Sequence, residues 1–366
     1  MLDDDSIVLH IGVHKTGTTA IQTALARSRD LLLQHGIRYP GTGMAHRNIA
    51  SSALGRPIGW RTDGARKPDP RLWARTVREA RSWPRRTLIS SEFLAEADDQ
   101  TTQRIVNDVG ADRLEVIITL RNFARILPSA WQQNLKSGFQ TPYEDWVRRM
   151  LFDVDEATAG TIFWRRHRHD LLVNRWAQIA SPERVTVVVV DESDRLGIFS
   201  SFEGLLGLPA GTLAQHSGAV TNRSLTLAEA EFLRRLNLAV GGAPGWAAYR
   251  DSVHDGMEKG LVEGRIPPGD EQRLQTPQWA LDRAAEFAGQ FADAIEQSGV
   301  GVVGDLAVLR AHVTGPAEGP PPVDQLPIDA AIAAVLGAMA AGSKAGRLPS
   351  WTNRVGRAIR RALGRP

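Results

Sequence analysis

A glycine-rich turn between an apolar strand and a helix constrains this chain more than any other feature. Residues 7–11 form a short apolar run, and residues 12–19 read Gly-Val-His-Lys-Thr-Gly-Thr-Thr. From Thr18 onward the apolar residues follow helical spacing. In a strand–turn–helix unit of this kind, backbone N–H groups and the helix dipole together attract an anion. The sequence therefore predicts a phosphate-binding loop at the start of an α/β domain.

Further apolar runs predict the rest of the sheet. Strands are expected at residues 87–91, 114–120 and 185–191, with helical patterns between them. Apolar strands that alternate with helices indicate a parallel sheet covered on both faces. We therefore expect a P-loop-type, doubly wound α/β fold with helical additions at the C-terminus. Ligands bind such sheets beyond the carboxyl ends of the strands.

The C-terminal part of the 366-residue chain differs in composition from the rest. Five prolines in residues 315–327 predict a linker, which divides the chain into a domain at 1–314, a Pro-rich linker at 315–329, and an Ala-rich helix with a basic tail at 330–366. Residues 240–275 are expected to be loop-rich. The absence of cysteine excludes disulfides, thiolate metal sites and a cysteine nucleophile.

The net charge of +3 conceals an uneven distribution of charge. Residues 343–366 hold seven of the 44 Lys and Arg and none of the 41 Asp and Glu, which leaves 37 basic against 41 acidic residues, or −4, in the preceding part. A broad basic surface for nucleic acid is therefore not expected. Residues 350–365 have the pattern of a basic amphipathic helix, which either docks on the domain, remains solvated or lies on an anionic membrane. The acidic start of the chain and the lack of a long apolar run predict a cytoplasmic protein, and the third of these alternatives for the tail would add peripheral contact at the inner membrane surface.

The position of the lysine in the loop separates two functions. The nucleotide triphosphatase pattern G-x-x-x-x-G-K-[ST] places lysine after the second glycine. Gly12 and Gly17 keep the glycine spacing and Thr19 keeps the last position, but Thr18 occupies the lysine position and the lysine is Lys15. An ATP-dependent P-loop phosphotransferase is therefore the alternative interpretation.

The segment His14-Lys15-Thr16-Gly17-Thr18-Thr19 resembles the 5′-phosphosulfate loop, [PH]-K-x-G-T-T, of sulfotransferases that use 3′-phosphoadenosine 5′-phosphosulfate. A second match is the strand at 117–120 followed by Arg121 and, eight residues later, Ser129, which resembles the 3′-phosphate site of that family. The resemblance implies that all these residues bind the donor. No cluster of residues in the sequence requires a divalent metal, so none is expected. It extends more faintly to Asn222 and Arg223, which are assigned to donor contact as substitutes for a later basic segment of the family.

The resemblance also implies roles in catalysis. Lys15 would stabilise the leaving charge at the oxygen that bridges sulfur and phosphorus. Glu92, directly after a central strand and oriented by Ser90 and Ser91, is the predicted general base, and His46 is the competitor. A His-Glu-x-x-His pattern is missing, and no zinc site is expected.

The acceptor is expected to be a small molecule or a glycan with a hydroxyl or amine group, bound by the segments 40–70, 137–165 and 240–275. The segment Arg165-Arg-His-Arg-His169 predicts a solvated charged face. A third interpretation is a sulfonucleotide- or polyanion-binding module without catalysis.

Overall fold

The computed structural model describes residues 1–59, 67–153, 158, 160–216, 223–241 and 245–344. Its centre is one sheet of six parallel strands in the order β2-β3-β1-β4-β5-β6. The strands are β1 (Ile7–His10), β2 (Ile37–Arg38), β3 (Arg86–Ser90), β4 (Leu114–Leu120), β5 (Val185–Val189) and β6 (Gly301–Val303). Helices flank the sheet, so the α/β fold predicted from the sequence is confirmed.

Alternating side chains of the strands pack into two separate clusters, one on each face of the sheet. Leu9 of β1 and Ile118 of β4 belong to one cluster, which the helices Pro70–Ser82, Asp99–Val109 and His169–Ala180 cover. Val8 and Ile117 point to the opposite face, where they meet the helices Thr18–Arg27 and Gly197–Leu206. Because both faces are buried, apolar residues predominate on both sides of the central strands.

A third cluster lies beside the sheet and is built from helices. Its members include Trp131, Trp146 and Phe163. The helices that contribute to it are Phe123–Leu135, Tyr143–Leu151, Ile162–His167, Leu227–Val240, Trp246–Tyr249, Lys259–Gly264, Gln278–Gln297 and Ile328–Lys344, with a π-helical stretch at Arg250–Glu258. The remaining α-helices are Arg29–Gln34, Arg47–Leu54 and Leu306–Arg310, and short 3-10 helices lie at Glu92–Glu96, Pro182–Arg184 and Ala214–His216.

Several predicted elements differ from those in the structure. The expected loop at 240–275 is wrong over Trp246–Tyr249, Arg250–Glu258 and Lys259–Gly264, which run on as one helical segment. The edge strands β2 and β6 were not predicted, because two or three residues are too few to show a period. The helical pattern before β5 corresponds to two helices, Ile162–His167 and His169–Ala180, which meet at Arg168.

The helix Ile328–Lys344 packs on the same core as the residues before it. Ala330 and Ala334 are buried in the helical cluster, and Arg265 forms an ion pair with Asp329. The division of the chain at 314 and 329 stays a prediction, and the basic tail at 350–365 lies outside the described residues. Among the described residues, no helix has both the length and the hydropathy needed to cross a bilayer.

Candidate functional site

A cavity of about 1230 Å³ lies at the carboxyl end of the central strands. The segments after β1, β3 and β4 meet there, because these three strands are neighbours in the sheet. The predicted residues that line it are His14, Lys15, Gly17, Thr18, Thr19, Glu92, Arg121, Ser129 and Arg223. Thr16 and His46 are not part of this lining. Asn222 lies outside the described residues.

The turn after β1 has the backbone of an anion-binding loop. Gly17, with φ of 80°, precedes the helix that starts at Thr18, and no side chain caps that helix. Its first N–H groups therefore remain available to a ligand. Lys15 also has a positive φ, of 71°, which is uncommon for a residue with a side chain. Thr19 is exposed at the cavity, whereas Thr18 is mostly buried.

Below the loop, the site has a buried polar floor that the sequence did not reveal. His10 lies between Ser90 and Thr119, at 2.8 Å from the Oγ of Ser90 and 3.3 Å from the Oγ1 of Thr119. Burial lowers the pKa of His10 to about 3, so the ring is neutral. A Cβ on Gly12 would lie 1.8 Å from Thr119 Oγ1. The close approach of Thr119 is therefore sufficient to explain why position 12 is a glycine.

Thr16 uses its hydroxyl within the protein. Its Oγ1 donates to the carbonyl of Val13 at 2.8 Å and lies 2.9 Å from Thr119 Oγ1. The side chain is fully buried. The side chain of Thr16 therefore stabilises the turn, and only the backbone of Thr16 could contact the predicted nucleotide donor.

Lys15 is the most perturbed cation of the cavity. Its Nζ donates a hydrogen bond to Gln133 Oε1 at 3.0 Å. Burial, together with the nearby charge of Lys136, lowers the pKa of Lys15 to about 7. The ammonium group is therefore close to its titration point near neutral pH, and an anion bound beside it would favour the charged form.

Arg121 stands at the end of β4 and reaches the same cavity. Its guanidinium forms an ion pair with Glu192 and donates to the carbonyl of Lys15 at 3.3 Å. Its buried Nε–H has no hydrogen-bond partner among the described residues. Ser129 lines the cavity from the next helix, and its hydroxyl donates to the Ile126 carbonyl at 2.9 Å. An unused donor on a cation is what an incoming phosphate would need.

Glu92 begins a short 3-10 helix at the edge of the cavity. Its Oε2 accepts a hydrogen bond from Gln22 Nε2 at 3.1 Å, and the same nitrogen donates to Ser90 Oγ at 3.2 Å. The structure thus differs from the expectation that both serines orient Glu92. Gln22 holds the carboxylate, and Ser91 Oγ has no partner within the described part of the chain.

His46 is held away from the cavity by two hydrogen bonds. The backbone N–H of Ser90 donates to Nδ1 at 2.8 Å. Nε2 therefore carries the proton, and it donates to the Pro40 carbonyl at 2.8 Å. Burial lowers the pKa of His46 to about 4. As a base, this ring would first have to release Ser90.

His14 joins a buried ionic network behind the loop. Its Nε2 is 3.3 Å from Glu96 Oε1, and Arg166 and Arg56 bind the same carboxylate at 2.7 and 3.0 Å. Although burial alone would raise the pKa of Glu96, its bond to His14 and the charge of Arg166 lower it to about 2. The solvated face expected at 165–169 is wrong here, since Arg166, His167 and His169 are all buried.

The helical segment 246–264 forms the wall opposite the phosphate loop, and sequence reasoning missed it. Five of the residues by which this wall lines the cavity are four positions apart, namely Trp246, Arg250, His254, Glu258 and Val262, and its first turn adds Gly245, Ala247 and Ala248. Lys136, seven residues after Ser129, contacts this wall through a 2.6 Å ion pair with Glu258. The four-residue spacing was the signal that could have revealed the wall.

Arg223 lines the cavity but is strongly engaged by other residues. Its guanidinium makes two bonds of 2.7 Å to the buried carboxylate of Glu229. Arg265 binds the same carboxylate at 2.9 Å. These bonds hold the Arg223 guanidinium in place beside the wall. The assignment of Arg223 to donor contact stays a prediction.

Within the residues that the structure describes, no group of His, Asp or Glu has the arrangement of a metal site.

No protein-family model and no curated protein matches the chain. Among solved structures, the chain is similar to the crystal structure of a sulfotransferase from Alicyclobacillus acidocaldarius. The sequence identity is 17% and the TM-score is 0.40, over 68% of this chain and 100% of that chain. At this level the likeness carries no inference about function.

Proposed function

We propose that this protein is a sulfotransferase that moves a sulfuryl group from 3′-phosphoadenosine 5′-phosphosulfate to a hydroxyl or amine acceptor. One observation carries the proposal. The loop that bears Lys15 and the pair Arg121 and Ser129, which are more than 100 residues apart in sequence, line one cavity. Two separate cationic positions suit a donor that carries two separate phosphate groups.

The loop is assigned to the phosphosulfate end of the donor. Backbone N–H groups at the start of the helix, with the hydroxyls of Thr18 and Thr19, would hold its oxygens. Lys15 would neutralise the charge that develops on the bridging oxygen as the sulfur–oxygen bond breaks. This interaction strengthens in the transition state, which is the condition for accelerating the transfer.

Arg121 and Ser129 are assigned to the 3′-phosphate. The unpartnered Nε–H of Arg121 supports this assignment. Glu192 occupies the other side of the guanidinium, so a phosphate would share Arg121 with this carboxylate or displace it. The adenine contact remains unassigned, because Ala20, which lines the cavity after the threonines, offers no aromatic face.

The overall charge of the cavity favours an anionic ligand. Six cationic side chains line it, against the carboxylates of Glu92 and Glu258; they are Lys15, Arg47, Arg121, Lys136, Arg223 and Arg250. Three of the six, Arg121, Arg223 and Arg250, also pair with carboxylates that lie outside the lining. Such an excess in a concave site attracts polyanions and raises their local concentration.

We assign the general base to Glu92. It lines the cavity and Gln22 orients it, whereas both ring nitrogens of His46 are already bonded. In the proposed reaction the acceptor oxygen or nitrogen forms a bond to sulfur. Its proton passes to Glu92, and the bond between sulfur and the bridging oxygen breaks. The acceptor, a small molecule or a glycan, would occupy the part of the cavity between Glu92 and the wall that carries Trp246.

Two measurements on the full chain test the proposal. Isothermal titration should detect binding of adenosine 3′,5′-bisphosphate at least tenfold tighter than binding of ATP with Mg²⁺. A screen of acceptors with sulfur-labelled donor should then detect transfer, and Lys15→Met should abolish it. Preference for ATP with Mg²⁺ would instead support the P-loop phosphotransferase. Tight bisphosphate binding with no transfer to any acceptor class would support a binding module.

A further inference from the structure

The helix Ile328–Lys344 presents an apolar outer face. Ile328, Ile332 and Val335 are 80%, 42% and 54% exposed, and they follow one another at helical spacing. Exposed apolar side chains that share one face are unusual on a soluble surface, where single ones are common. This face therefore requires an explanation of its own.

The opposite face of the same helix is firmly buried. Ala330, Ala333 and Ala334 are at most 7% exposed. A Cβ on Gly260 would lie 2.2 Å from the Ala333 carbonyl oxygen, and one on Gly337 would lie 2.2 Å from the Gly256 carbonyl oxygen. The backbone of the helix Ile328–Lys344 and that of the segment 246–264 thus approach each other closely. Rotation of this helix to hide the isoleucines is therefore excluded.

A further exposed apolar residue follows a side chain that binds the start of the helix. Ile266 is 78% exposed. The residue before it, Arg265, is joined to Asp329 by a hydrogen bond of 2.6 Å from its Nε. Ile266 is therefore next in sequence to a residue that is anchored to the first turn of the helix.

The chain that follows supplies a complementary charge. Residues 345–366 hold six Arg and no Asp or Glu. We propose that the outer face of the helix Ile328–Lys344, together with residues 345–366, docks this protein on an anionic lipid surface. Stable membrane binding commonly needs two signals, an apolar one and a basic one. A second copy of this chain fits less well, because it would bring two all-basic segments together across one interface.

Docking would place the catalytic cavity near the lipid. The outer helix packs on the segment 246–264, whose residues line the cavity. Packed helices lie about 8–10 Å apart, so two helices, the segment 246–264 and the helix Ile328–Lys344, would lie between the cavity and the membrane surface.

Flotation of the full chain with vesicles tests the docking, in the absence of donor and acceptor. Phosphatidylcholine vesicles with about 30% phosphatidylglycerol should bind the protein at about 50 mM NaCl. Binding should fall at least tenfold with pure phosphatidylcholine or at about 500 mM NaCl. Because no transfer is measured, the result is independent of the proposed enzymatic function.

Two sets of variants separate the apolar and basic contributions. The double variant Ile328→Asp, Val335→Asp should weaken partitioning at least tenfold, whereas Leu33→Asp, at a position 50% exposed on another helix, should not. Reversal of four tail charges should weaken it by about 100-fold or more; the changes are Arg354→Glu, Arg357→Glu, Arg360→Glu and Arg361→Glu. If the double aspartate variant has a lower melting temperature than the wild type, the double variant Ile328→Ser, Val335→Ser is used in its place.

Three outcomes would overturn the proposal. The first is no binding of the full chain to anionic vesicles at low salt. The second is unchanged binding by the variants of the apolar face. The third is a dimer in sedimentation that the aspartate variant dissociates, since a second copy would then cover the face.

Discussion

The charge of Lys15 should control donor affinity near neutral pH. Burial, with a contribution from Lys136, lowers the pKa of Lys15 to about 7. A donor phosphate beside the ammonium group favours its charged form, so the pKa must rise on binding. The affinity that Lys15 contributes is therefore fully present below pH 7 and is lost as pH rises towards the higher pKa of the complex.

The size of this loss of affinity follows from the rise in the pKa of Lys15 when the donor binds. Above pH 7 each pH unit should cost about tenfold in affinity, which corresponds to about 1.4 kcal/mol. For a complex whose lysine pKa exceeds about 9, the affinity at pH 9 should be about 100-fold below its value on the acidic side. The second ionisation of a phosphate group has a pKa near 6 and is nearly complete above pH 7. It therefore does not mask the fall of affinity with pH.

Isothermal titration with adenosine 3′,5′-bisphosphate measures both the affinity and the protons taken up. At pH 8, in two buffers that differ in ionisation enthalpy, nearly one proton should be taken up for each ligand bound. Lys15→Arg should flatten the pH dependence, because a guanidinium stays charged throughout. Lys136→Met should move the midpoint to higher pH, since it removes a neighbouring cation. Wild-type affinity that is constant from pH 7 to pH 9, with no proton uptake, would refute this reasoning.

Three further substitutions address separate parts of the site. Arg121→Ala should weaken binding of adenosine 3′,5′-bisphosphate by about 10- to 150-fold, the effect of a lost charge-assisted contact, and should leave the affinity for a ligand without the 3′-phosphate unchanged. Glu92→Gln should reduce the transfer rate about 100-fold or more with donor affinity intact, and His46→Ala should reduce it less; the reverse order of the two would move the base to His46. Gly12→Ala should lower the free energy of unfolding by about 1–3 kcal/mol, because a Cβ there would lie 1.8 Å from a threonine hydroxyl on the neighbouring strand. Thermal unfolding measures this loss, and Gly204→Ala, where a Cβ meets nothing within 4 Å, should show none.

The central part of the fold was predictable because local patterns determine it. The strand Leu114–Leu120 has the bounds that its apolar run predicts, and the expected strand at 185–191 is observed at Val185–Val189. The helix at Leu227–Val240 begins after a capping box that is visible in the sequence at Thr226 and Glu229. In each case the residues that decide the structure are close together in the chain.

The wall of the cavity was not predictable in the same way. Gly256 and Gly260 lower the helix propensity of this segment, yet both are needed where the helix Ile328–Lys344 approaches closely. Tertiary packing therefore supplies the stability that the local sequence lacks. The pairing of His14 with Glu96 joins residues 82 positions apart, and no spacing in the sequence could indicate it.

Two buried networks connect the phosphate loop to the turn that carries the proposed base. One runs from Gln22 on the loop helix to Glu92, and the other joins His14 to Glu96 at the far end of the same 3-10 helix. Because both ends of this short helix are bonded to the loop or its helix, the proposed donor site and the proposed base are held in one arrangement, which the in-line transfer that we propose would require. The opposite wall belongs to a different part of the chain and meets this unit through the ion pair of Lys136 and Glu258. Under the proposed function, we therefore expect substitutions in the wall to change the acceptor that is used while the proposed donor site and base keep their arrangement.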